Sequence, residues 1–156
     1  MALDPTAREA NVRDSLKKFF WDTLGKTYKL SFDRSLATPR IQGQPSEIDR
    51  WIGIDIGAVN LETLAEIWVR MFLCTRKDNE GFRLAQMRDN VVGELVDSSK
   101  TDGMRRITLY RSYENQDWTV IGGLVIQDFT EAGNFEAPDD TKYKIIDMRL
   151  RWGAKV

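Results

Sequence analysis

Two segments alternate apolar and polar residues, and they restrict the fold more than any other feature of the chain. In the first, Ile67, Val69, Met71 and Leu73 take one face, and Trp68, Arg70, Phe72 and Cys74 take the other. In the second, from about Lys142 to Trp152, Ile146, Met148, Leu150 and Trp152 share a face with Lys144 at its solvent end. Tyr143, Ile145, Asp147, Arg149 and Arg151 hold the opposite side. Successive side chains of a strand point to opposite faces, so both segments predict strands with one core face. The second face of the first strand mixes aromatic and charged groups, which suits contact with a helix or a partner.

A core face needs a cover, and two helical stripes supply it. Val12, Leu16, Phe19, Phe20 and Leu24 recur at helical spacing, predicting a helix over about 6–24. Asp4 or Thr6 would cap its start and Gly25 would close it. Leu84, Met87, Val91 and Leu95 predict a second helix over about 80–97, with Val92 and Val96 widening the stripe. Shorter alternations predict strands at 28–32, 52–56, 106–111 and 118–129, the last interrupted by Gly122-Gly123 as at a bulge. The order α-β-β-β-α-β-β-β predicts one α+β domain over 1–156, with a mostly antiparallel β-sheet and both helices packed on one side. Long loops are expected at about 34–49 and 128–141. Long loops in small domains are often binding elements.

The chain has 156 residues, no His, one Cys and a formal net charge of −1. Without His, the Ser-His-Asp and Cys-His schemes and imidazole zinc sites are excluded. The near-neutral charge argues against a general nucleic-acid binder. One Cys forms no disulfide within the chain, so a reducing compartment is the simplest setting. The first residues are polar and charged, unlike a signal peptide. No apolar stretch approaches the ~20 residues that a membrane helix needs.

Three motifs attract attention and lack their context. Gly25-Lys26-Thr27 matches the tail of a phosphate-binding loop, but Phe20 stands where the first Gly belongs, and the triplet closes a helix instead of opening one. Ile52-Gly53-Ile54-Asp55-Ile56-Gly57 resembles the first phosphate segment of sugar kinases and actin, without the two large lobes those proteins need. Glu62 and Glu66 lie four apart, but in a turn entering a strand. A small phosphate-handling enzyme using Asp55 is the remote alternative they leave.

Charge is segregated in the last third. Between Ser112 and Thr141 stand seven acidic residues and no Lys or Arg; from Lys142 onward there are five basic residues and one acid. Opposite charges across a hairpin are the ordinary reading. Head-to-tail association between copies is the sharper one, since a heterologous interface needs two different complementary patches. The five Trp residues favour either a core role or contact hot spots.

A strand ending in Phe32-Asp33-Arg34 and a Pro-bearing loop follow the first helix. A long strand then ends in Cys74-Thr75-Arg76-Lys77-Asp78-Asn79-Glu80-Gly81, followed by the helix Leu84-x-x-Met87-Arg88-Asp89-x-Val91. In this element order the chain resembles the tail terminator (tail completion) proteins of tailed bacteriophages. The resemblance implies a hexameric ring that caps the head-proximal end of the tail tube, ends its polymerisation and offers a head–tail joining surface. It implies as partners further copies of the chain, the tail tube protein, the tail sheath protein in contractile tails, and a head-side connector or neck protein. DNA would pass through the channel without specific binding. The expected place is the virion tail–neck junction, and the host cytoplasm during assembly. No cofactor, metal or catalytic group is needed. The candidate contact residues are the turn residues Arg76, Lys77, Asp78 and Glu80, the acidic Glu131, Glu136, Asp139 and Asp140, and the basic Arg149 and Arg151. Another neck, head-completion or baseplate subunit is the alternative.

Overall fold

The computed structural model describes residues 9–32, 49–60, 65–111, 119–136 and 141–154. The elements are α1 (Glu9–Leu24), β1 (Lys29–Phe32), β2 (Arg50–Asn60), β3 (Ala65–Thr75), α2 (Phe82–Leu95), β4 (Arg106–Tyr110), β5 (Val120–Glu136) and β6 (Lys142–Ala154). They form an α+β fold around one six-stranded sheet of order β1-β2-β3-β6-β5-β4. Every pairing is antiparallel except β1 with β2.

The two alternating segments become the centre of this sheet. β3 and β6 run side by side, from Ala65↔Trp152 to Thr75↔Lys142. Ile67, Val69, Met71 and Leu73 thereby share one surface with Ile146, Met148, Leu150 and Trp152. Ile52 and Ile54 from β2, Leu124 and Ile126 from β5, and Ile107 and Leu109 from β4 extend it. Both helices bury their predicted stripes on this side: Val12, Leu16, Phe20 and Leu24 from α1, and Leu84, Met87, Val91 and Leu95 from α2. Full burial of each such side chain contributes about 1.5–3 kcal/mol.

The sheet curls around α1, which touches both edge strands, β1 and β4. Ser15 makes the joint with β4. Its Oγ donates to the Asn11 carbonyl at 2.7 Å and accepts the Tyr110 N–H at 2.8 Å. On the other flank, Arg13 Nη2 donates to the Ile56 carbonyl at 2.9 Å.

Several boundaries differ from the sequence expectation. The loop expected at 128–141 is strand as far as Glu136. Gly133 and Asn134 read as turn residues, but β6 offers partners to Ala132, Phe135 and Glu136, and a register shift absorbs the extra residues. Gly133 sits there at φ 82, and a Cβ would fall 2.1 Å from the Phe135 ring. The interruption expected at Gly122-Gly123 falls one step earlier: Gly122 pairs with Leu109 and Val120 with Tyr110, which leaves Ile121 as the extra residue. α2 stops at Leu95; Val96 is extended, exposed and bridges Met104, so it does not widen the apolar stripe. Gly25 does close α1. Its N–H donates to the carbonyls of Phe20 and Trp21, and a Cβ would lie 2.6 Å from the Trp21 oxygen. The loop expected at 34–49 lies outside the described residues except for Asp49, as do Asp4, Thr6 and Glu62.

Candidate functional site

The face of the sheet turned away from both helices carries the chemistry. Cross-strand register lays it out in rows. Trp51, Cys74 and Tyr143 form one, and Phe72 and Ile145 the next. These make a second, small core in which Trp51 and Cys74 are fully buried. Arg76 lies over the Trp51 ring, 5.3 Å from its centre. The aromatic side predicted for β3 is therefore partly filled by the chain itself. The Trp51 indole N–H has no hydrogen-bond acceptor among the described residues.

Beyond Phe72 the rows turn charged. Asp55, Arg70 and Asp147 stand abreast. Arg70 grips Asp147 with two bonds, Nε to Oδ1 at 2.7 Å and Nη2 to Oδ2 at 3.2 Å. Next come Trp68, Arg149 and Asp128. Arg149 donates to Asp128 at 2.9 Å and lies 5.7 Å from the Trp68 ring centre. Last, Arg151 Nε donates to Glu66 at 3.1 Å. Within this ladder Trp68 is 52% exposed. Trp21, on α1, is exposed too, while Trp51 and Trp152 are buried. Trp118 lies outside the described residues.

The candidate contact residues separate into distinct roles. Arg149 and Arg151 lie on the ladder, both paired within the chain. The hairpin pairing that charge segregation suggested holds for Asp128 with Arg149, but Arg151 takes its acid from β3. Glu131 turns to the helix side and binds Arg88 of α2 at 2.7 Å. Glu80 and Glu136 meet across an open cleft of about 460 Å³, between the start of α2 and the β5–β6 hairpin, with Lys142 and Lys144 on its wall. Lys142 Nζ donates to the Asn79 carbonyl at 2.7 Å. Asp139 and Asp140 lie outside the described residues.

The turn after β3 is built from within. Asp78 is buried, and its carboxylate accepts the N–H of Leu84 at 2.9 Å and of Arg83 at 3.3 Å. The Thr75 hydroxyl donates to it at 3.2 Å. Burial pushes the Asp78 pKa up, but these donors, with the nearby Arg83 charge, outweigh burial and hold it below the ordinary carboxylate range. Asp78 thus faces the first turn of α2, not the surface, where orphan amides favour an acid. Arg76 covers Trp51, and Lys77 takes a left-handed conformation at φ 54.

Arg83 was not foreseen. Its guanidinium donates to Asp49 at 2.5 Å, to the Arg76 carbonyl at 2.7 Å, and also to the Lys77 carbonyl. It fastens the turn to the entry of β2. Its only sequence signal is an Arg in the first turn of a helix, where a cation is otherwise unfavourable.

Asp55 lies mid-strand opposite Arg70, and β2 continues past Gly57 to Asn60. The turn that a phosphate-binding Asp-x-Gly motif uses is not formed there. Among the described residues, no group of three or more acidic or Cys side chains is placed to hold a metal ion. Among the described residues, no helix is long and apolar enough to cross a membrane.

No protein-family model matches the chain, and no curated protein is similar to it in sequence. Likeness appears at the level of structure, where 12 chains match. One solved structure superposes with a TM-score of 0.58, covering 92% of this chain and 97% of its own, at 6% identity. Its name states neither an activity nor a partner. At that identity the likeness shows a shared fold and nothing further.

Proposed function

We propose that this chain is an assembly subunit of a phage tail, a terminator whose ring caps the head-proximal end of the tail tube. The observation that carries the reading is the sheet face opposite the helices. A two-layer α+β domain ordinarily leaves that face polar. Here it holds Trp68, half exposed, inside a ladder of three ion pairs. Exposed Trp with Arg stacked against it is the composition of a contact hot spot. The paired charges around it set register more than affinity.

The ring ends growth because one of its faces binds the tube while the other lacks the next tube-binding surface. That second face is then free for a head-side connector.

Negative-stain electron microscopy of the protein, alone and mixed with tail tubes, tests the reading. The expected result is tubes capped at one end, with ring-shaped caps. Tubes left bare while the protein binds connector or baseplate proteins would overturn it in favour of a neck, head-completion or baseplate subunit.

A further inference from the structure

β5 has an open edge. β4 pairs with it only from Tyr110↔Val120 to Arg106↔Val125, yet β5 continues to Glu136. β6 fills its other side. From Gln127 onward, the outward N–H and C=O groups of β5 have no ladder partner among the described residues. Among the described residues β1 pairs only with β2, which leaves a second open edge at the far end of the sheet. The edge of β4 differs, because Ser15 of α1 accepts the Tyr110 N–H. Open edges are templates for strand addition unless something blocks them.

Length and charge say what fits. Two register shifts bound the regular part of the open edge, one between Ile126 and Asp128 and one between Ala132 and Phe135. The run between them, Asp128 to Ala132, is five residues long, enough to pair all four residues of β1. The β5 edge carries Asp128, Glu131 and Glu136 with no Lys or Arg, whereas Lys26 to Phe32 holds two Lys and no acid. Asp128 and Glu131 already bind Arg149 and Arg88; Glu136 stands opposite Lys142 but forms no ion pair among the described residues, so it is the acid left for a neighbour. Pairing β5 with β5 of another copy would set acid against acid, which destabilises a ladder.

We propose that the open edge of β5 takes up β1 of the next copy, antiparallel, with Lys29 beside Ala132 and Lys26 reaching toward Glu136. The joint is heterologous, so repetition generates a closed ring when the rotation allows. This deepens the ring reading above and rests on it.

Carbodiimide coupling tests the joint. It forms an amide between a Lys amine and a carboxylate; the carbodiimide takes up the water and leaves as a urea. The full chain is used as an equal mixture of isotope-labelled and unlabelled protein, alone and on tail tubes. The expected products are mixed-isotope peptides joining Lys26 to Glu136. Glu136→Lys should abolish them, and adding Lys26→Glu should restore tube capping, with melting temperatures unchanged because both side chains are exposed. Mixed-isotope products confined to other sites, or none in either sample, overturn the joint. Capped tubes without this product would refute the joint and leave the terminator reading standing. The product on tubes that stay bare would do the reverse.

Discussion

Asp78→Ala is the most direct probe of how the turn and α2 are held together. The substitution removes one acceptor from three donors: the amides of Leu84 and Arg83, and the buried Thr75 hydroxyl. Losing a helix-capping acid costs about 0.5–2 kcal/mol. The upper end applies here, since an unpaired buried hydroxyl adds its own desolvation cost. A loss of ~2 kcal/mol should lower the melting temperature by about 4–8 °C in a domain of this size. Asp78→Asn keeps one carbonyl acceptor and should lose roughly half as much. The pH dependence follows from the depressed pKa of Asp78. Its stabilisation is present above the unfolded carboxylate value of about 3.9 and is lost as pH falls through the lower folded value. The gap between wild type and Asp78→Ala should therefore be full at pH 7 and shrink below about pH 4. Thermal melts followed by circular dichroism measure it. A drop under about 1 °C at pH 7, or a gap that does not change with pH, would refute the capping account.

Three further outcomes are expected. Gly93 is exposed within α2, and a Cβ there meets nothing within 4 Å, so Gly93→Ala should raise stability by about 1 kcal/mol in urea unfolding. Ser15→Ala strips the Tyr110 N–H of its acceptor and should cost about 1–3 kcal/mol, with faster amide exchange at Tyr110 than elsewhere in β4. Trp68→Ala should leave the melting temperature nearly unchanged and remove tube capping in electron micrographs, because the ring is exposed and faces away from the main core.

Much of this architecture was readable from local pattern. Period-two alternation identified β3 and β6, and helical spacing identified the buried stripes of α1 and α2, because each periodicity is written within one element. Strand order, the parallel β1–β2 pair and the curl around α1 depend on contacts between distant segments, so no local window carries them. The candidate site divides along the same line. Charge segregation pointed to Arg149 and to the acidic stretch that holds its partner Asp128, but not to the partner of Arg151, since Glu66 stands 85 positions from Arg151 and approaches it only through the β3–β6 register. The strand character of 128–136 was hidden by Gly133 and Asn134, because a partner strand can override turn propensity. Asp78 looked like a surface charge in a polar turn; only the packed start of α2 turned it inward. Trp51 and Trp68 were equivalent as letters in alternating strands. The fold buried the first and left the second half exposed, because Arg76 folds over one ring while the other sits in the middle of an open sheet face.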